Sequence, residues 1–423
     1  MWGQLRCIDL HSHSACKKIE VTKKNIVNSH VTWNRRTFLS AASAAGAAAI
    51  WQQLLIAEPL PVPSPERGAS FLACVGFSAS DAPATQCIET YRVEGGQWVQ
   101  LGSALPCEAP SALVMHPTLP VLYVVHSTGQ YLGLPRGSVS AFAVVASSGA
   151  LMPLSRRPLA LSATYPEYAA ISRDGRTLLV SASGGGSYNV FSLAADGAIL
   201  PDLHALKQTG SGPHALQMTA YPHAVVFHPS GLAAYASDLG SDRINHITFA
   251  EGSPSVASRV SLIPGDGPGH IALHPSCKVL VICNQLCPAL TVIPIDEKTG
   301  RLHLGFQHFA LDAKVAGPLA FGLSNDYMYV AGSAGSGETF VLAFHMDLRS
   351  FQLRTKAVIQ VPSISWPEHL LVHKRELLLI GTGGVASLPL DSRGGFSQRT
   401  SLIREADYIF RRRDAVSIAV LPL

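Results

Sequence analysis

The chain is short of charge. Only 14% of its 423 residues are Asp, Glu, Lys or Arg, against roughly 25% in an ordinary soluble domain. With 47% hydrophobic residues, that composition excludes a disordered chain and leaves ample material for a large core. Nor is there a basic surplus outside the N-terminal stretch. The net charge is +4, but residues 1–57 hold seven of the 32 basic residues and two of the 28 acidic ones, so the remainder stands at 25 against 26. No basic stripe is left to neutralise a phosphate backbone, which argues against a nucleic-acid partner.

Several catalytic signatures are missing as well. Gly184–Gly186 is followed by neither Lys-Ser/Thr nor a helix, so it is no phosphate loop. No Gly-x-Ser-x-Gly elbow stands between a strand and a helix, and no carboxylate pair of glycosidase type can be singled out. Cys283 and Cys287 have no second ligand pair at zinc spacing. Beyond residue 57 the cysteines are Cys74, Cys87, Cys107, Cys277, Cys283 and Cys287. They read as buried free thiols, with one disulfide as the alternative in an oxidising compartment. Cys277 and Cys283 fall in strand-like apolar runs. No metal and no cofactor is called for.

What is present begins with a leader. Asn34-Arg35-Arg36-Thr37-Phe38-Leu39 precedes an Ala-rich run to Ala57, broken by Gln52 and Gln53, and a Pro-rich linker over residues 58–70 follows. Paired arginines ahead of a weakly apolar stretch are the pattern of a twin-arginine export signal. A cut after Ala57 would put Leu55 at the −3 position. The expectation is a periplasmic or secreted protein. The alternative is a protein held at the membrane by an uncleaved leader, with a helix over Leu39–Leu55 in either case.

From residue 71 onward the chain repeats every 45–57 residues, the period of a propeller or solenoid. Each unit has an apolar strand, a turn, a second apolar strand, an alternating strand, a Gly-bearing polar turn and a weaker fourth strand. The first turns are His116-Pro117, Arg173-Asp174-Gly175, His228-Pro229-Ser230-Gly231, His274-Pro275, Asn325-Asp326 and His373-Lys374. No long amphipathic helix interrupts the pattern. Residues 71–105 supply only three strands, and six complete units follow from about 109 to 404. The run Ala415–Leu421 is then an orphan that completes the first blade. The prediction is an all-β, seven-bladed propeller over residues 71–423, closed by pairing of the two chain ends.

Particular motifs now carry a resemblance: Gly137-Ser138-Val139-Ser140-Ala141-Phe142, Ser183-Gly184-Gly185-Gly186-Ser187, Gly240-Ser241-Asp242-Arg243-Ile244, Gly267-Pro268-Gly269-His270 before His274-Pro275, and Cys283-Asn284-Gln285-Leu286. In order and spacing they resemble the seven-bladed lactonase family, which holds the propeller-type 6-phosphogluconolactonases and the carboxy-muconate cyclases. The resemblance implies a small-molecule lactone or related sugar acid as partner. It also implies a site at the channel mouth made from a His, a Glu and two Arg. The guanidinium groups would hold an anionic substrate while His and Glu move protons.

Carried over residue by residue, that site is eroded. The His falls on His223 and a further Arg on Arg243, both kept. The first anion-binding Arg falls on Gly269, the Glu on Gln285, the second Arg on Gly322, and another frequent Arg on Glu368. His223 reads as a general base or as an inner-strand histidine bonded to backbone. Arg243 reads as an anion contact or as the partner of Asp238 or Asp242. His270 reads as a substitute substrate contact or as structural, and Gln285 as a hydrogen-bonding substrate contact. Glu368 and His369 are consecutive, so a regular strand would point them to opposite faces. His116, His228 and His274 recur at equivalent turns and read as turn residues, and Arg411-Arg412-Arg413 as a solvated turn. Two functions remain: hydrolysis of a sugar-type lactone, or a non-catalytic ligand- or protein-binding propeller of the cell envelope, whose only membrane contact would be the leader.

If the arginine pair directs export, replacing Arg35 and Arg36 together by Lys is expected to leave the precursor in the cytoplasm. Cell fractionation reads the result, and unchanged export would refute the pathway.

Overall fold

The computed structural model describes residues 70–78, 86–250, 253–311, 313, 315–322, 326–333, 338–362, 364–396, 408–411 and 414–423. The leader, most of the Pro-rich linker and the helix expected over Leu39–Leu55 lie outside them. Seven antiparallel four-stranded sheets make up the described chain. The first blade contains β1 (Phe71–Phe77), β2 (Cys87–Glu94) and β3 (Gln97–Pro106). The second has β4 (Pro110–Met115), β5 (Val121–His126), β6 (Ser138–Val144) and β7 (Leu151–Pro158). The third has β8 (Thr164–Ile171), β9 (Thr177–Gly184), β10 (Ser187–Leu193) and β11 (Ile199–Lys207). The fourth has β12 (Pro222–Phe227), β13 (Ala233–Asp238), β14 (Arg243–Ala250) and β15 (Ser253–Ser261). The fifth has β16 (Pro268–Leu273), β17 (Val279–Asn284), β18 (Ala289–Pro294) and β19 (Gln307–Ala310). The sixth has β20 (Val315–Phe321), β21 (Tyr327–Ser333), β22 (Thr339–Asp347) and β23 (Gln352–Val361). The seventh has β24 (Trp366–His373), β25 (Glu376–Thr382), β26 (Gly384–Pro389) and β27 (Tyr408–Arg411), and β28 (Ala415–Pro422) returns to the first.

The closure is the one expected: β28 pairs with β1, with Cys74 opposite Ala419 and Phe71 opposite Pro422. The last complete blade extends further than the repeat suggested. Its outer strand β27 includes Arg411, which is therefore not in a turn; residues 412 and 413 lie outside the described residues.

The core follows from the period of two along each strand. In β1, Phe71, Ala73 and Val75 face the seventh blade, while Leu72 and Cys74 face the second. Every blade behaves this way, so seven apolar clusters form, one between each adjacent pair. Directional bonds fix the spacing between blades. The hydroxyls of Tyr123 and Tyr235 each donate to the carbonyl of a turn glycine in the next blade, Gly197 and Gly300, at 2.6 Å. Tyr329 does the same to Gly394. These phenols have no water to bond, so the carbonyl is what makes a fully buried tyrosine tolerable there.

The recurrent turn histidines have the structural role expected. His116 Nδ1 accepts from the backbone N–H of Thr118 and Leu119, His228 Nδ1 from Ser230, and His274 Nδ1 from Ser276. The six cysteines are free thiols; Cys74, Cys87, Cys107 and Cys283 are buried. Cys277 is not in a strand. It sits in the turn before β17 with a φ of 60°. Among the described residues no helix is long and apolar enough to cross a membrane.

Ring closure predicts a stability effect. Ile418 is buried in the core between the seventh and first blades. Ile418→Ala should cost about 2–5 kcal/mol, read from urea unfolding. Deleting residues 415–423 should abolish the cooperative transition altogether.

Candidate functional site

Seven inner strands, β28, β4, β8, β12, β16, β20 and β24, pack side by side around the channel. In five of them a proline stands at or near the start of the ladder, directly before a slip in register: Pro110, Pro166, Pro222, Pro268 and Pro367. Proline cannot donate to the ladder, and the register slips just after it, as it does between Ala316 and Leu319 in β20. The bulge lifts the following residue out of regular pairing at the same level of six strands. Those residues are Ser111, Glu167, His223, Gly269, Gly317 and Glu368.

At this level one cluster carries chemistry. His223 from β12 is buried, with its Nε2 3.6 Å from Glu167 Oε2 on β8. That is too long for a hydrogen bond. Glu167 is itself held: the Tyr221 hydroxyl donates to its Oε1 at 2.5 Å. The Tyr221 ring is roughly parallel to the imidazole, centroids 6.1 Å apart, and Tyr168 and His270 flank it at 5.4 and 5.1 Å. His223 Nδ1 is buried without a normal hydrogen bond. Burial lowers the imidazole pKa to about 4, and the nearby Gly269 carbonyl opposes this only in part.

His270 and His369 complete the polar lining. The Tyr168 hydroxyl bonds His270 Nδ1. Burial holds His270 well below its ordinary pKa, with His223 and His369 adding to the effect. His369 is lowered to about 4 by burial, and its Nδ1 accepts from the Ile418 N–H at 3.4 Å. Three histidines are thus neutral at physiological pH. The alternation expected for Glu368 and His369 fails. The slip between Pro367 and His369 removes it, and Glu368 acts on the Tyr168 phenol while His369 acts on His270.

The sequence-based candidates divide. His223 and His270 come together, and Gln285 joins them, because a Cβ on Gly269 would lie 2.5 Å from Gln285 Cδ. The space where the family resemblance expects a guanidinium is therefore filled by an amide. Arg243 stays apart. It opens β14, the third strand of its blade, roughly 10 Å outward from β12. Its guanidinium donates to the Thr209 carbonyl at 3.1 Å rather than pairing with Asp238 or Asp242 in a salt bridge. Gly322 belongs elsewhere: it follows the far end of β20 in the turn to Tyr327, and the residue level with His223 on that strand is Gly317. Glu167, Tyr168 and Tyr221 were missed. The signal that finds them is the recurrence of Pro166-Glu167-Tyr168, Pro222-His223, Pro268-Gly269-His270 and Pro367-Glu368-His369. Among the described residues no group of three or more His, Cys, Asp or Glu is placed to hold a metal ion.

The loop that delivers Gly269 and His270 hangs on two buried carboxylates. Asp242 accepts from the N–H of Gly265 and Gly267 and from Gln217 Nε2. Asp266 accepts from Asn284 Nδ2 at 2.9 Å and faces His308 Nδ1 at 3.4 Å. Burial, with Asp242 adding to it, pushes Asp266 up to about 7, and burial lowers His308. Both directions describe a neutral acid beside a neutral imidazole.

Fold and site together describe a seven-bladed β-propeller with a buried histidine cluster on its inner strands, and the sequence comparison gives its family. The profile of the family described as "Lactonase, 7-bladed beta-propeller" matches residues 75–380, and the chain belongs to that family. It is 26% identical over 165 residues to the 6-phosphogluconolactonase of Bacillus subtilis, covering 39% of this chain and 47% of that protein. It is 30% identical over 118 residues to an uncharacterised Lactococcus lactis protein, covering 27% and 34%. The chain thus spans half or less of the length of these curated relatives. Among solved structures it superposes on a candidate 6-phosphogluconolactonase from Bacteroides fragilis, with TM-score 0.72, 20% identity, and 86% and 100% of the two chains covered. The periplasmic gluconolactonase PpgL of Pseudomonas aeruginosa gives TM-score 0.70 at 22% identity, with 83% and 99% covered. At such identities the likeness shows the fold.

The Asp266 pair predicts a pH dependence. A carboxyl raised in the folded state stabilises fully below its ordinary pKa and loses that contribution as pH rises through the folded value. Stability should therefore fall between about pH 4 and pH 7, by up to about 4 kcal/mol at 1.36 kcal/mol per unit. Asp266→Asn should flatten that slope in urea unfolding measured across the window.

Proposed function

We propose that this protein hydrolyses a neutral sugar-type lactone at the channel mouth. The observation that carries the reading is His223, whose Nδ1 is sealed from solvent while Nε2 faces the Glu167 carboxylate. With the proton on the sealed Nδ1, the Nε2 lone pair is the base, and Glu167, steadied by Tyr221, holds a water beside it. That water gives a proton to Nε2 as its oxygen bonds to the lactone carbonyl carbon. The ring C–O bond then breaks, and the departing alkoxide takes the proton back from His223, leaving a hydroxy acid. Glu167 stabilises the imidazolium that exists in between.

Charge selects the substrate class. Gly269 and Gln285 offer an amide where a guanidinium would grip phosphate or carboxylate, and Arg243 bonds backbone two strands away. One lost bidentate contact is worth about 1.5–3 kcal/mol, or roughly 10- to 150-fold in binding. A second reading, a binding propeller without chemistry, is favoured by one observation: His223 near pKa 4 is a weak base. Export through the Arg35-Arg36 signal to the periplasm or beyond belongs to either reading. Its support is the leader's sequence pattern, and it would place the lactone outside the cytoplasm.

The test is hydrolysis of gluconolactone and 6-phosphogluconolactone by purified protein, corrected for spontaneous opening. The neutral lactone should be turned over, and His223→Ala should lose about 10²–10⁴ of the rate. The acid limb of the pH–rate profile should fall near pH 4 rather than 6.5, since His223 is deprotonated above its lowered pKa. The phosphorylated lactone should stay below a kcat/KM of roughly 10⁴ M⁻¹s⁻¹. No turnover of the neutral lactone would leave the binding reading.

A further inference from the structure

We infer that His270 supplies the hydrogen-bond donor for the lactone carbonyl oxygen, and that Tyr168 is the positioning residue that fixes His270 in the donor tautomer. The inference rests on the hydrolytic reading of the channel and adds to it two residues with separate tasks.

The chain of argument starts at the phenol. Tyr168 lies among His223, His270, Glu167 and Glu368, and burial with the two carboxylates keeps its hydroxyl protonated. Among the described residues the Tyr168 hydroxyl bonds only His270, so its proton has no other acceptor and His270 Nδ1 receives it. His270 is neutral, since burial and the neighbouring His223 and His369 oppose a second proton. A neutral imidazole whose Nδ1 accepts carries its single proton on Nε2. His270 Nε2 has no hydrogen-bond partner among the described residues, and it is not sealed from solvent. One histidine of the pair thus offers a free lone pair and the other a free N–H, with ring centroids 5.1 Å apart and planes at 83°. At that spacing the rings are in edge-to-face contact, so a carbonyl group would meet them side by side from the channel, its carbon near a water on His223 and its oxygen near His270.

Local sequence explains why the task falls here. Gly269 has no side chain, and Gln285 occupies the space beside it. The next residue, His270, is brought to the channel by the slip in pairing between Pro268 and Ile271. An N–H aimed at the forming oxyanion works without any net charge on the ring. Removing one such donor typically costs about 10²–10³ in kcat.

Two measurements test this, one independent of activity. Long-range ¹⁵N–¹H NMR of histidine-labelled protein, with His270→Ala to assign the ring, should show His270 protonated on Nε2. Tyr168→Phe should convert it to a mixture of tautomers. With gluconolactone, Tyr168→Phe should lower kcat about tenfold and leave KM within about twofold. His270→Ala should lose 10²-fold or more, and His270→Gln, whose amide keeps an N–H, should recover part of that loss. A merely structural Tyr168 would move neither the tautomer nor kcat apart from KM. His270 protonated on Nδ1 in the unaltered protein, or kcat unchanged in Tyr168→Phe, would overturn the inference. If the unaltered protein turned over no lactone, the oxyanion role would fall with the hydrolytic reading. The Tyr168-fixed tautomer would still stand or fall on the NMR result.

Discussion

Everything in the channel depends on the ring being closed. An isolated blade exposes two apolar faces, and only a neighbour on each side buries them. The seven interblade clusters provide this, and the last of them exists only because β28 crosses from the C-terminus to pair with β1. The same strand carries Ser417 and Ile418, which hold the His369 ring from the far side. A contact between residues more than 340 positions apart in sequence therefore sets one wall of the site. Such a contact carries a high loop-closure cost. The Tyr123, Tyr235 and Tyr329 clasps hold three of the blades at a fixed distance from the next.

Within the closed ring, one local device builds the site. A proline at the head of an inner strand removes a ladder donor, and the slip that follows leaves one or two residues outside regular pairing. Backbone carbonyls released in this way are captured from the preceding blade: Ser181 donates to His223 O, and Ser237 donates to Gly269 O at 2.6 Å. The scaffold therefore holds the backbone of the site residues firmly while their side chains stay free to differ. At one level of the ring the chain presents a serine, two glutamates, a histidine and two glycines. Function lives in such side chains and can change while the scaffold that presents them stays the same.

The fold was legible because its signals are local and repeated. The strand alternation, the Gly and Asp turns and the orphan strand Ala415–Leu421 lead to seven blades and the correct closure. The site was legible only in part. His223, His270 and Gln285 were found through motif order. Glu167, Tyr168 and Tyr221 were not: the recurrent proline marks their level, but each acts on a residue of another blade, and nothing along the chain names that partner. Glu368 and His369 were separated by a rule of regular strands that does not hold across a bulge. Arg243 and Gly322 show the converse failure. Both matched a pattern along the chain, but one sits two strands outward and the other at the wrong end of its strand.

The physical character of the site follows from burial without cations. In an arginine-lined channel, fixed positive charge attracts an anion and stabilises developing negative charge. Here His223, His270 and His369 are driven neutral by the cost of desolvating an imidazolium. Glu167 is the nearest carboxylate to His223, and its Tyr221 bond limits how far it can move. The proposed catalysis would draw on orientation: a lone pair held open on one ring, an N–H held open on the other, and few alternative partners for either. Weak bases and neutral donors are least effective in water and most effective where water is excluded, because a low dielectric strengthens each remaining dipole. The burial that lowers the basicity of His223 is therefore the same burial that makes a neutral donor at His270 worth having. On the proposed reading, a neutral lactone is the substrate that loses least on entering such a site.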